Sequence, residues 1–200
     1  MRTLLQLNTS LYSSQGQSSR LAGEFVAAWL RRHPADRVLR RDLAERPVPH
    51  LDSETFQAFG TAAQSRTPAQ RAAVADSDAL IAELKVADVI VLGVPMYNFG
   101  VPSTLKAYFD HVARAGVTFR YTASGPEGLL KNKKAYVFAT RGGRYHGTPQ
   151  DTQSDYLRQF LDFLGIRDIE FIYAEGLAMG EHQRDGALAD AGAQIQRLAA

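Results

Sequence analysis

The run Val89-Ile90-Val91-Leu92-Gly93-Val94 decides the fold class, because every residue in it is apolar or glycine and it is too short to cross a membrane. A strand without polar alternation is typical of the centre of a parallel sheet, where helices cover both faces. On either side of it, short β-rich runs alternate with longer segments of helical period. This alternation predicts parallel strands joined by helical crossovers.

Five strands and five helices account for the pattern. The strands are predicted at residues 4–8, 38–43, 89–94, 135–140 and 169–174. The second strand alternates polar and apolar residues, which suits a sheet edge. Residues 116–134 contain glycine and proline breakers and are predicted as an excursion without assigned elements. The count favours an α/β, flavodoxin-like, doubly wound five-stranded parallel sheet in the order 2-1-3-4-5, with helices on both faces.

The length and composition of the chain limit the number of domains, the chemistry and the partners that are expected. A chain of 200 residues and 22.0 kDa favours a single domain over residues 1–200. The absence of cysteine excludes disulfides, thiolate catalysis and iron–sulfur ligation, so any redox chemistry requires a bound cofactor. The net charge of +2 and the short basic runs indicate a solvated surface, so nucleic-acid binding is not expected. With no apolar span or leader pattern, we expect a cytoplasmic protein that does not enter membranes.

In the predicted sheet, the order of the strands reverses between strands one and three. Ligands of open parallel sheets bind outside the carboxyl ends of the strands at this point. The loop after strand one, residues 8–19, is rich in hydroxyls and amides and leads into a helix. Helix N-terminal N–H groups and serine hydroxyls can hold a phosphate without a lysine. The phosphate-binding fingerprints GxGxxG and GxxxxGK[ST] are both absent.

The other two loops at this edge are also unusual. Met96-Tyr97-Asn98-Phe99 places two aromatic rings and a thioether where a polar turn is expected, which suits a flat heteroaromatic ring. Thr140-Arg141-Gly142-Gly143 offers amides that can approach a ligand closely. Each loop alone also fits a structural role: a polar surface loop, a small core cluster and a flexible turn. A single flavin mononucleotide would account for all three, by its phosphate, its ring and its reducible edge.

These segments resemble a known family. The motif Pro95-Met96-Tyr97-Asn98-Phe99, the segment Arg114-Ala115-Gly116-Val117-Thr118-Phe119-Arg120-Tyr121 and the loop Thr140-Arg141-Gly142-Gly143 are similar to those of bacterial FMN-dependent NADH azoreductases and quinone reductases. The resemblance extends over nearly the whole chain. It implies that FMN binds at Ser10, Gly16, Gln17, Ser18, Met96, Tyr97, Asn98, Phe99, Thr140, Arg141, Gly142 and Gly143.

Two positions depart from the family pattern. Thr140 replaces a serine but keeps the hydroxyl, whereas Gly16 stands where a serine is common. The second change puts one phosphate-facing hydroxyl in doubt and leaves open which of Gln17, Ser18 and Ser19 contacts the phosphate. The resemblance also places Phe119 and Tyr121 beside the substrate space, and ordinary core packing is the alternative interpretation.

The histidines show no metal-ligand spacing, so no protein metal site is expected. Only His146, in the loop after strand four, is a candidate for contacting substrate or supplying a proton. No side chain is assigned as an obligatory acid or base, because the flavin carries the chemistry.

The resemblance implies an FMN-dependent NAD(P)H oxidoreductase that works by a ping-pong mechanism. NADH or NADPH gives a hydride to the flavin and leaves, and a quinone or aromatic azo compound then takes its place and is reduced by two electrons. The alternatives are a flavodoxin-like electron carrier and a non-catalytic regulatory module of the same fold. Family expectation makes carriers strongly acidic, in contrast to the pI near 8.9 here, and a phosphoryl-accepting module would need an aspartate where Pro95-Met96 stands.

A homodimer with flavin sites near the subunit boundary is expected. Residues 45–66 hold Val48, Leu51, Phe56 and Phe59 among proline, serine, threonine and glycine, a pattern too irregular for a core helix and too apolar for a free loop. A two-fold contact is the commonest way to cover such a surface, and similar azoreductases are dimers whose sites use both chains. The competing interpretation is a lid that folds back over its own subunit.

Overall fold

The computed structural model describes residues 1–199. In chain order the elements are β1 (Thr3–Asn8), α1 (Gln17–Arg32), β2 (Arg37–Asp42), α2 (Ser53–Gly60), α3 (Pro68–Val86), β3 (Val89–Pro95), α4 (Ser103–Val112), β4 (Phe119–Thr122), β5 (Gly125–Gly128), β6 (Lys134–Thr140), α5 (Thr152–Leu164), β7 (Asp168–Ala174) and α6 (Glu181–Leu198).

Five of these strands form a parallel sheet in the order β2-β1-β3-β6-β7, which confirms the predicted topology. Every residue of β3 is buried, as its apolar sequence requires, and β2 lies at an edge with partly exposed residues. The sheet therefore reverses its order between β1 and β3, where the ligand loops were expected.

Helices cover both faces of the sheet and divide the core in two. On one face α1 and α6 pack through Phe25, Trp29 and Ile195 against β-strand residues that include Val91 and Phe138. On the other face α3, α4 and α5 pack against the opposite side chains of the same strands, through Leu80, Leu84, Tyr108, Phe109, Leu157 and Leu161. Among residues 1–199, no helix is both long and apolar enough to cross a bilayer.

Two elements lie outside the predicted pattern. Residues 116–134 contain an antiparallel hairpin, β4–β5, which pairs only with itself and therefore lacks the hydrophobic alternation of a sheet strand. Residues 45–66 contain α2, which brings the helix count of the described chain to six rather than five. This helix lies on the surface, with Ala58 as its buried residue, and the carboxylate of Asp52 accepts a hydrogen bond from the Thr55 N–H at its start.

Candidate functional site

Three loops meet at the carboxyl edge of the sheet. The Thr9 hydroxyl of the loop after β1 donates to the Gly93 carbonyl of β3 at 2.8 Å. The Leu11 N–H donates to the Tyr97 hydroxyl at 3.2 Å. The Met96 N–H donates to the Thr140 carbonyl at 2.9 Å. These bonds join the loops after β1, β3 and β6 into one surface, as the strand order predicted.

The first loop and the start of α1 form a set of free hydrogen-bond donors. Ser18 and Ser19 are buried, and within residues 1–199 neither hydroxyl has a partner. Gly16 precedes the helix, and no side chain caps the N–H groups of its first turn. Gln17 is half-buried beside them. A helix N-terminus with uncommitted hydroxyls is suited to bind an anion.

Gly16 and Gly93 make this geometry possible. A Cβ atom on Gly16 would overlap the Ser10 side chain, whose Oγ accepts the Tyr12 N–H at 3.2 Å. A Cβ atom on Gly93 would lie 2.8 Å from the Ser18 carbonyl oxygen. The start of α1 is therefore closer to the sheet than any residue with a side chain at position 93 would allow. The departure at Gly16 has a local steric reason, because Ser10 fills the space.

The second loop is a tight turn from Tyr97 to Gly100, closed by their two mutual N–H to carbonyl hydrogen bonds at 3.2 and 3.0 Å. Asn98 and Phe99 at its tip have left-handed backbones, with φ of 49° and 65°. This conformation is uncommon for residues other than glycine and costs free energy in a bulky side chain. Asn98 is exposed and Phe99 is 50% exposed. Met96, which precedes the turn, is half-buried.

The third loop is held by a buried arginine. The Arg141 guanidinium donates to Asp151 at 2.7 Å, to the Ser154 hydroxyl at 2.8 Å and to Glu175 at 3.0 Å. Burial opposes the charge of Asp151, but the hydrogen bonds from Arg141 and Ser154 outweigh it and hold the pKa of Asp151 below its ordinary value. The Arg141 side chain therefore points into the protein rather than toward the loops after β1 and β3.

Backbone N–H groups are what this third loop can offer a ligand. The Arg141 N–H donates to the Ala174 carbonyl at 3.0 Å. By contrast, the N–H groups of Gly142 and Gly143 have no acceptor in the described part of the chain. Thr140 is buried at the end of β6. Of the four predicted residues in this loop, the two glycines have the amides that remain available.

Sequence reasoning missed two contributors. Tyr145 packs edge-to-face on Phe99 with ring centroids 5.5 Å apart. Its ring also occupies the space where a side chain at Gly143 would lie. The loop after β7 is hydrogen-bonded to the third loop, because the Ala178 N–H donates to the Gly142 carbonyl at 3.0 Å. The aromatic residue two positions after Gly143 was a sequence signal for the first of these, whereas the second depends on tertiary contacts.

The three predicted substrate residues do not lie together. Phe119 is buried against Phe163 near the end of α5, with ring centroids 4.3 Å apart, and Tyr121 is 75% exposed on the hairpin. The start of α5, by contrast, contacts the second loop, because the Thr152 hydroxyl donates to the Phe99 carbonyl at 2.6 Å. At 1.5 Å per residue, Phe163 lies ~16 Å further along the helix. Within one chain, Phe119 and Tyr121 are therefore distant from the three loops.

His146 lies at the third loop. Its ring stacks on Tyr173 with centroids 4.0 Å apart, and its Nδ1 is 3.5 Å from a carboxylate oxygen of Asp151. The side chain remains 54% exposed. It adjoins the Arg141 network, on the solvent side. No group of three or more potential metal-ligating side chains occurs among residues 1–199.

Comparison with known proteins places the chain in a family. A family model described as the flavodoxin-like fold matches residues 2–199. The FMN-dependent NADH:quinone oxidoreductase of Cellvibrio japonicus is 57% identical over 197 residues, which cover 98% of each chain. The chain belongs to the FMN-dependent NADH:quinone oxidoreductase family. FMN-dependent NADH:quinone oxidoreductase 6 of Burkholderia lata is a further relative, 54% identical over 191 residues and 96% of each chain.

This chain is also similar in structure to azoreductases. An azoreductase from Bacillus anthracis superposes on this chain with a TM-score of 0.91 at 27% identity, covering 100% of this chain and 99% of that one. The resemblance seen in the sequence motifs is thereby confirmed at the level of family and fold. The residues of the site also fit the cofactor in the family's name, because buried hydroxyls and a helix N-terminus are groups that suit a phosphate, and free amides are donors that suit the polar edge of a ring.

Proposed function

We propose that this chain is an FMN-dependent oxidoreductase that uses NADH to reduce quinones and aromatic azo compounds by two electrons. The observation that carries the proposal is the convergence, at one sheet edge, of free donors on three loops in a chain 57% identical to an FMN-dependent NADH:quinone oxidoreductase. When bound, FMN would supply the hydride and electron transfer, for which the protein itself has no redox-active cysteine.

The phosphate would be held at the start of α1. Ser18 has a buried hydroxyl without a protein partner, and the first-turn N–H groups from Gln17 onward carry the partial positive charge of the helix N-terminus. Ser10 lies beside them, 2% exposed, on the other side of Gly16. The site needs no lysine or arginine, because several oriented donors share the phosphate charge.

The flavin ring would lie between the second and third loops. Met96, Tyr97, Asn98 and Phe99 would contact its face and polar edge, with the Tyr97 hydroxyl already fixed by the Leu11 N–H. The amides of Gly142 and Gly143 would face the edge that gains negative charge on reduction, and donors placed there in advance favour the reduced form. Arg141 would act through the position of this loop, since its guanidinium is buried in ion pairs.

We also propose a homodimer in which the hairpin of one subunit approaches the site of the other. Tyr121 is 75% exposed, and Tyr156, Phe160 and Phe163 form a half-buried stripe along α5. Clefts of ≈ 480 and ≈ 550 Å³ border this stripe. Such an exposed apolar surface is typical of a subunit contact, and a partner could bring Tyr121 to a site that its own chain cannot reach.

Residues 45–66 support this proposal less than their composition suggested. Val48 packs on the core of its own chain, and Phe59 contacts the His111 ring and the Arg114 guanidinium. Phe56 remains 66% exposed. The segment thus folds partly over its own subunit, and the hairpin and α5 are the stronger basis for a dimer.

We also propose a cytoplasmic location, because NADH is available there.

The test is spectroscopic. The purified protein is reconstituted with FMN and its visible spectrum is recorded under anaerobic conditions before and after addition of NADH, followed by a quinone. Bleaching of the flavin bands by NADH and their return with the quinone are expected. Failure to bind FMN would reject the site, and binding without bleaching would favour an electron carrier or a regulatory module over the enzyme.

A further inference from the structure

Side chains in the first turn of α5 form hydrogen bonds with the beginning and the end of the second loop. The buried side-chain amide of Gln153, 1% exposed, donates to the Pro95 carbonyl at 2.9 Å and to the Gly100 carbonyl at 3.1 Å. The neighbouring Thr152 hydroxyl donates to the Phe99 carbonyl at 2.6 Å. Three carbonyls of one six-residue segment therefore accept hydrogen bonds from two adjacent side chains of another element.

The segment between these anchor points is strained. Asn98 and Phe99 occupy the left-handed region at consecutive positions, which matches the two central positions of a type I′ turn. Asparagine tolerates the first position, but glycine is preferred at the second, where this chain has a phenylalanine. A left-handed backbone at a residue with a large side chain persists only where surrounding contacts impose it.

We propose that Gln153 is a positioning residue that holds the Tyr97–Gly100 turn in its strained form, and that flavin affinity depends on this restraint. The proposal rests on the proposed function, since it assumes that the turn contacts FMN. The N–H groups of Asn98 and Phe99 have no acceptor within residues 1–199, so the held turn presents two free donors. A turn that opened would displace these donors and the Phe99 ring together.

Chemistry at Gln153 agrees with a restraint rather than with simple core packing. Its Oε1 is buried and has no partner in the described residues, so only the NH₂ end of the amide makes hydrogen bonds. An apolar residue of similar shape would remove this unsatisfied oxygen and would suffice if filling space were the only requirement. The two hydrogen bonds to the Pro95 and Gly100 carbonyls are therefore what the amide contributes beyond filling space.

The restraint can be tested by pairing Gln153→Met, which keeps the shape and removes the donors, with two changes at Phe99. Phe99→Gly removes the ring and relieves the left-handed strain, whereas Phe99→Ala removes the ring and keeps the strain. The two Phe99 variants thus form a matched pair. Thr152→Val, at an exposed position, is a milder second variant that removes one donor and tests the restraint should Gln153→Met not fold.

The first measurement uses the protein without FMN. The Tyr97 and Gly100 amides are hydrogen-bonded across the turn, so their hydrogen exchange reports its opening. Loss of two hydrogen bonds predicts exchange about 10-fold faster in Gln153→Met, and a smaller increase in Thr152→Val. Phe99→Gly should slow the exchange and offset the effect of Gln153→Met, and Phe99→Ala should not. Unchanged exchange in both α5 variants would overturn the proposal.

The second measurement is the dissociation constant for FMN. Gln153→Met should weaken binding several-fold in the Phe99→Ala background and by less than about 2-fold in the Phe99→Gly background, because apparent affinity follows the fraction of closed turns. Equal weakening in both backgrounds would mean that Gln153 does not act through the turn. If the unaltered chain bound no FMN, the proposed function would fail, whereas the exchange measurement would still decide whether Gln153 holds the turn.

Discussion

Replacement of Gly93 by alanine should separate flavin binding from folding. The added Cβ would lie 2.8 Å from the Ser18 carbonyl oxygen, 3.0 Å from its carbonyl carbon and 3.2 Å from the Ser19 nitrogen. All three are backbone atoms of α1, so no side-chain rotation relieves the contact. Ordinary contacts begin at 3.4 Å, and the start of the helix must therefore retreat from β3 by about 0.6 Å.

The displacement acts directly on the phosphate donors. A hydrogen bond lengthened from about 2.9 to about 3.5 Å loses most of its strength. Charge-assisted hydrogen bonds contribute ~1.5–3 kcal/mol each, so weakening one or two predicts a loss in FMN affinity of about 10- to 100-fold. The overpacking itself should lower the free energy of unfolding by ~1–3 kcal/mol.

The assay is a titration of the apoprotein with FMN in which flavin fluorescence reports binding. Urea unfolding of the apoprotein measures its stability. Gly23→Ala is the matched control, because it makes the same change within α1 where the nearest atom to the new Cβ, apart from its chain neighbours and the backbone of the helix itself, is 3.9 Å away. That variant should gain ~0.5–1 kcal/mol of stability and keep its affinity. If Gly93→Ala lost stability but bound FMN as tightly as the unaltered chain, the phosphate would not lie at the start of α1.

Three further outcomes are expected. Asn98→Ala and Gly142→Val should lower FMN affinity or reduction rate more than apoprotein stability. Equal losses of stability in thermal melts and of affinity in FMN titrations would mean that both residues have only a structural role. Sedimentation paired with specific activity should find the active species at twice 22.0 kDa, whereas full activity at 22.0 kDa would reject the dimer. The lowered pKa of Asp151 should add stability above the ordinary carboxyl pKa of 3.8 that is lost as the pH falls below it. Urea unfolding at pH 5 and pH 3 should show this loss diminished in Asp151→Asn.

The sheet was predictable because its strands follow simple rules of burial. Apolar residues throughout β3 and polar alternation in β2 set the centre and the edge, and the alternation with helices set the parallel order. The hairpin β4–β5 and α2 were not predicted. Both are short and make few core contacts, so their sequences lack the periodicity that burial imposes.

The meeting of the three loops was predictable from the sequence, but the contacts of their side chains were not. Strand order alone brings the loops after β1, β3 and β6 together, and the structure does so. No sequence pattern shows that the Arg141 guanidinium turns inward to Asp151, or that Gln153 joins Pro95 to Gly100. These contacts depend on where α5 begins relative to two loops far from it in sequence, which is a property of the assembled fold.

Several local costs to stability lie at the sheet edge where the three loops meet. Buried hydroxyls without partners at Ser18 and Ser19 each cost ~1–3 kcal/mol, and consecutive left-handed residues at Asn98 and Phe99 add strain of similar size. A ligand that satisfies the hydroxyls and packs on the turn recovers part of this cost on binding, so affinity is built from interactions that folding leaves incomplete. The same groups that destabilise the free chain are therefore those that would make the site selective for a phosphate-bearing planar ring.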